Sequence, residues 1–103
     1  MTTNTKLMSV VEDEQDIMSL FSDALSQFGD ISVFGFIDSK LALEHFKLHE
    51  LEYCLILSDY RMPSMDGIVL LKKVKVINPT VKTILMSAFD GEDRFFEECK
   101  CVD

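Results

Sequence analysis

A chain of 103 residues, 48% of them hydrophobic, is long enough for one globular domain with a modest core. A formal charge of −8 argues against nucleic acid as a partner, because a polyanion needs a basic face. No apolar run approaches the ~20 residues of a spanning helix, the first residues carry no signal-peptide core, and three cysteines are too few for a disulfide framework. A cytoplasmic domain without membrane attachment is expected.

Residues 7–11 (LMSVV) read as a first strand, ending in Glu12-Asp13-Glu14. An amphipathic helix follows, with Ile17, Leu20, Phe21, Ala24, Leu25 and Phe28 at the spacing of one helical face. Gly29 suits its C-terminal stop. Residues 31–37 (ISVFGFI) form a second strand in which Gly35 marks a bulge or a close approach. Asp38-Ser39 offers an N-cap for a helix reaching about residue 50, with Ala42, Leu43 and Phe46 facing inward. The third strand, 54–59, is a continuous apolar run closed by Ser58-Asp59. A loop containing Pro63 and Asp66-Gly67 leads to a helix over 68–77, with Ile68, Leu71, Val74 and Ile77 inward and Asn78-Pro79 as its stop. Residues 81–87 form a fourth strand. Asp90 then caps a short helix carrying Phe95, Phe96 and Cys99.

Alternation of strands and helices predicts parallel strands joined by right-handed crossovers, an α/β doubly wound sheet over residues 1–103. Parallel strands bring Glu12-Asp13, Asp59 and Ser87 to one sheet edge, where such folds bind ligands if the strand order reverses between the first and third strands. Carboxylates gathered there would repel one another, and a hard divalent cation relieves the repulsion. Mg²⁺ takes oxygen ligands while keeping several waters, leaving room for a phosphate oxygen. A serine hydroxyl opposite can donate to that phosphate. The set points to phosphoryl transfer onto a carboxylate, with Asp59 as acceptor.

Three stretches, VVEDE (10–14), LILSDYRMPSMDG (55–67) and ILMSAF (84–89), resemble the receiver domain of two-component response regulators along essentially the whole chain. The resemblance implies a flavodoxin-like strand order 2-1-3-4, with a fifth strand to follow. It implies that Asp59 takes a phosphoryl group from a sensor histidine kinase or phosphotransfer protein. By the same resemblance Asp13, Asp59 and the Arg61 backbone carbonyl would ligate Mg²⁺, with Glu12 acting through a water. Ser87 and the Ala88 N–H would contact the phosphoryl oxygens, Pro63 and Gly67 would shape the loop, and the Arg61 side chain and Phe89 would flank the group. Signalling would then run through a conformational change read by a downstream protein target.

The resemblance also implies a last strand and helix, with a lysine on that strand that pairs with the phosphoryl group. No counterpart is found before Asp103, and Lys100 falls too early. The expectation is therefore a C-terminally incomplete domain, with the fourth strand as an exposed edge. Low stability, or a homodimer formed through that edge, would follow. Two rival readings stand beside this one. An aspartyl-phosphatase-type enzyme wants a second aspartate two residues after the first, where Arg61 stands; a pseudo-receiver would keep the fold as an interaction module. His45 and His49 are expected on a wet face, as are Lys72, Lys73 and Lys75. Cys54 is read as a small core residue, and Cys99-x-Cys101 as a weak metal motif.

Overall fold

The computed structural model describes residues 6–89 and 93–98, and side chains through Met86. Its elements are β1 (Lys6–Val11), α1 (Gln15–Leu25), β2 (Ile31–Phe36), α2 (Ser39–Leu48), β3 (Tyr53–Asp59), α3 (Gly67–Ile77), β4 (Lys82–Phe89) and β5 (Asp93–Glu98), with one 3₁₀ turn at Ser26–Phe28 after α1. The sheet order is β2-β1-β3-β4-β5. The first four strands are mutually parallel, which is the expected flavodoxin-like arrangement.

Side chains alternate across the strands, as the pleat demands. Leu7, Val11 and Ile56 face a core shared with Ala42, Leu43 and Phe46 of α2 and Leu70, Leu71 and Val74 of α3. Val10, Leu57 and Met86 face the other side, where Met18, Phe21 and Leu25 of α1 pack. The two faces are covered unequally. α1 has no fully buried residue, whereas α2 and α3 each bury four. Leu20 is 66% exposed, so Met18 takes the inward place that periodicity had assigned to Leu20. Phe28 lies in the 3₁₀ turn and is also exposed, because the helix has ended three residues earlier. On α3, Leu70 is buried where the pattern named Ile68, while Leu71 and Val74 are buried and Ile77 packs half-buried against the same core, as expected.

Glycines mark two tight places. Gly29 has φ +87° at the end of the 3₁₀ turn, a conformation that side chains resist. A Cβ at Gly35 would run into the Met18 thioether, which makes this the close approach of α1 to β2.

The C-terminal segment departs from expectation. Residues 93–98 are not a helix but a strand, antiparallel to β4, with Phe89 level with Asp93 and Ile84 level with Glu98. A β4 paired only with β3 would present a row of open N–H and C=O groups, and this pairing satisfies them. Phe95-Phe96 favours strand, so local preference agrees with the open edge. β4 is consequently an interior strand, and the predicted homodimer through its exposed edge is withdrawn. Asp90, Cys99 and Cys101 lie outside the described residues, as do the side chains of Phe95 and Phe96.

Candidate functional site

Three carboxylates meet at the C-terminal edge of the sheet. Glu12 continues directly from β1, its N–H donating to the Phe36 carbonyl at 2.9 Å, and it is completely buried. One of its carboxylate oxygens accepts from the Glu14 N–H at 3.2 Å, which fixes the side chain as the chain turns into α1. Asp13 is exposed beside it. Asp59 ends β3 and is 7% exposed. One oxygen from each of the three lies within 4.8 Å of the other two.

The floor beneath Asp59 is held from several directions. The Tyr60 N–H donates to the Met86 carbonyl at 2.9 Å, tying the exit of β3 to β4. The Gly67 N–H donates to the Tyr60 carbonyl at 2.8 Å, closing the loop back on its origin. A Cβ at residue 67 would overlap the Asp59 carbonyl oxygen and press against Leu85 Cδ1 at 3.0 Å. Only glycine lets the start of α3 lie this close to the Asp59 backbone. Asp66 caps that helix, accepting from the Val69 N–H at 2.9 Å.

The loop's outer arm is clamped to α2. Ser64 Oγ donates to Asp38 Oδ1 at 2.8 Å, and Asp38 Oδ1 also accepts from the Lys40 N–H at 2.8 Å as the α2 cap. The Ser64 hydroxyl, followed by the Lys40 N–H, holds the Asp38 carboxyl below its ordinary value of 3.8. Ser39 Oγ donates to the Met65 carbonyl at 2.7 Å, while Met62 is buried in the larger core. The sequence pattern identified Asp38 as a cap but not as the loop's anchor. The only available signal was the pairing of a cap residue with a serine-containing loop elsewhere in the chain.

Glu12, Asp13 and Asp59 are thus brought together as expected, and Arg61 follows in the same loop, exposed. The backbone of Ser87 lies one step beyond Met86, the residue level with Asp59 in the β3–β4 register. The Ser87 hydroxyl and the Phe89 side chain lie outside the described residues, and the Ala88 backbone runs level with Arg94. His45 is not on a wet face. Its ring lies 4.5 Å from that of Phe34, and its Nδ1 is 2.7 Å from the Tyr53 hydroxyl, which also hydrogen-bonds Ser9.

An oxygen-only set of three carboxylates, two of them buried, suits a hard divalent cation and not a soft one. A carboxylate in that set has the chemistry to attack phosphorus, and a cation held there would offset the charge of its neighbours.

The response regulator receiver domain model matches residues 8–101. Sporulation initiation phosphotransferase F of Bacillus subtilis is 31% identical over 97 residues, covering 94% of this chain and 74% of that protein. The transcriptional regulatory protein ZraR of Klebsiella oxytoca is 39% identical over 54 residues, which is 52% of this chain but only 12% of that protein. The crystal structure of the response regulator protein TrrA from Thermotoga maritima, in complex with Mg²⁺-BeF, superposes with a TM-score of 0.73 at 26% identity, covering 82% of this chain and 71% of that one.

Proposed function

The chain belongs to the response regulator receiver domain family, and from that premise we propose that Asp59 is its phospho-acceptor. The observation that carries the reading is the meeting of Glu12, Asp13 and Asp59 oxygens within 4.8 Å at the sheet edge. The donor would be a phosphohistidine on a sensor kinase or phosphotransfer protein. An Asp59 carboxylate oxygen attacks the phosphorus, a new P–O bond forms, the P–N bond breaks, and the electron pair leaves with the imidazole, which takes up a proton.

Asp13, Asp59 and the Arg61 carbonyl would hold Mg²⁺, with Glu12 reaching it through water. When bound, the ion screens the negative charge between the carboxylates and the incoming phosphoryl oxygens. The chain's own part is positional. Glu12 is held by its backbone turn, Asp59 by the Tyr60–Met86 bond and the Gly67 contact, so the acceptor meets its donor without first ordering a loop. Ser87 and the Ala88 N–H would receive the transferred group's oxygens. The domain would act in the cytoplasm by changing how it docks to a downstream protein, with no turnover of a separate substrate.

Incubation with acetyl phosphate and Mg²⁺ should add one phosphoryl mass to the intact protein, and Asp59→Asn should abolish it. An adduct that persists in Asp59→Asn, or no adduct on the unaltered chain, would overturn the assignment.

A further inference from the structure

Between α2 and α3, on the face of the sheet away from α1, lies an open groove of about 390 Å³ lined by Leu43, Lys47, Lys72, Lys73, Val76 and Ile77. Its composition is unusual for this molecule. The whole chain carries 18 carboxylates against 10 lysines and arginines, yet among the described residues the groove's lining holds three lysines and no carboxylate. α3 adds to the contrast, since its eleven residues GIVLLKKVKVI include three lysines and no acid. The apolar part is not all core. Leu43 is buried at the floor, but Val76 is 82% exposed and offers an unsatisfied apolar wall.

The groove is also separate from the carboxylate edge. In a parallel sheet the helices run antiparallel to the strands, so the N-terminal ends of α2 and α3 stand near Asp59. The groove residues come from the later turns of both helices. Nothing in phosphoryl transfer uses them.

We propose that this groove is a docking site for an acidic peptide segment of a partner protein, one that carries a bulky apolar side chain between carboxylates. The apolar chain would cover Leu43, Val76 and Ile77, while flanking carboxylates meet Lys47 from α2 and Lys72 and Lys73 from α3. Charge complementarity selects this occupant. The lysines form a local positive patch on a protein of net charge −8, so an acidic segment is attracted there and repelled elsewhere. A nucleic acid would face that overall repulsion and leave the apolar wall uncovered. The volume lies within the range of pockets that hold small groups, enough for one or two side chains.

The test is titration of the ¹⁵N-labelled full chain with a short synthetic peptide that intersperses glutamates with leucine and phenylalanine. Amide shifts should concentrate at Leu43, Lys47, Lys72, Lys73, Val76 and Ile77, and binding should weaken with salt. A matched peptide with lysine in place of glutamate, and one with alanine in place of the apolar residues, should each bind at least about tenfold more weakly. The exposed substitutions Lys72→Glu with Lys73→Glu, and separately Val76→Asp, should abolish the shifts while leaving acetyl-phosphate labelling of Asp59 intact. That labelling shows that the variants are folded. Shifts mapping elsewhere, or equal binding by the charge-reversed variant, would overturn the proposal. So would a groove that responds only to phosphatidylglycerol vesicles or to self-association in sedimentation and ignores the peptide.

Discussion

At the scale of single residues, the position that most constrains the site is one without a side chain. Replacing Gly67 by alanine would drive a methyl group into the Asp59 carbonyl, which is backbone and cannot swing aside. Gly67→Ala should therefore lower stability by about 1–3 kcal/mol and slow phosphorylation of Asp59, read by chemical denaturation and by acetyl-phosphate labelling. His45 governs a different property. Burial first, and the neighbouring His49 charge second, push its pKa below 6.5, outweighing the attraction of Glu52. The unfolded chain then takes up a proton that the native chain refuses, so stability is lost as pH falls below 6.5 toward the depressed folded value. A melting temperature that drops over this range in the unaltered chain and flattens in His45→Gln would bear this out. Asp59 was legible in the sequence because strand, carboxylate and loop punctuation coincide there. His45 was not, since nothing local reveals that Phe34 and Tyr53 will close around it.

At the scale of elements, β1 to β4 and the three helices were legible because each has a clear period and a stop. The misplaced stripe on α1 falls where one helix covers a whole sheet face. α1 lies alone among the described residues on its side, so its inward stripe shifts to Met18, Phe21 and Leu25, and Leu20 stays in water. The larger error was the last segment. Asp90 as a cap with Phe95, Phe96 and Cys99 after it suggests a helix, whereas the deciding influence is the open edge of β4, a long-range demand that local pattern does not display. Alternate amides of Asp93–Glu98, those that donate to β4, should accordingly exchange slowly, with cross-strand NOEs following the Ser87–Phe95 register. Fast exchange through this segment would deny the pairing. The cap of α3 gives a sharper number. Asp66→Ala removes the acceptor of the Val69 N–H and should cost about 1 kcal/mol.

At the scale of the whole molecule, the three carboxylates bring distant parts of the chain to one point at the sheet edge. A ligand that binds only the assembled edge must stabilise the fold, so millimolar Mg²⁺ should raise the melting temperature, and Asp13→Asn should remove most of the rise. No helix among the described residues is long and apolar enough to cross a membrane. The β4–β5 hairpin has one more bearing on how this protein meets another. Met86 is level with Asp59, and the two strands continue together for three further residues to Phe89 and Asp93. At a rise of about 3.3 Å per residue, that places a parapet of backbone about 10 Å above Asp59 on one flank. A small acyl phosphate can drop in from overhead. A folded donor would find that flank walled off and would have to descend from another.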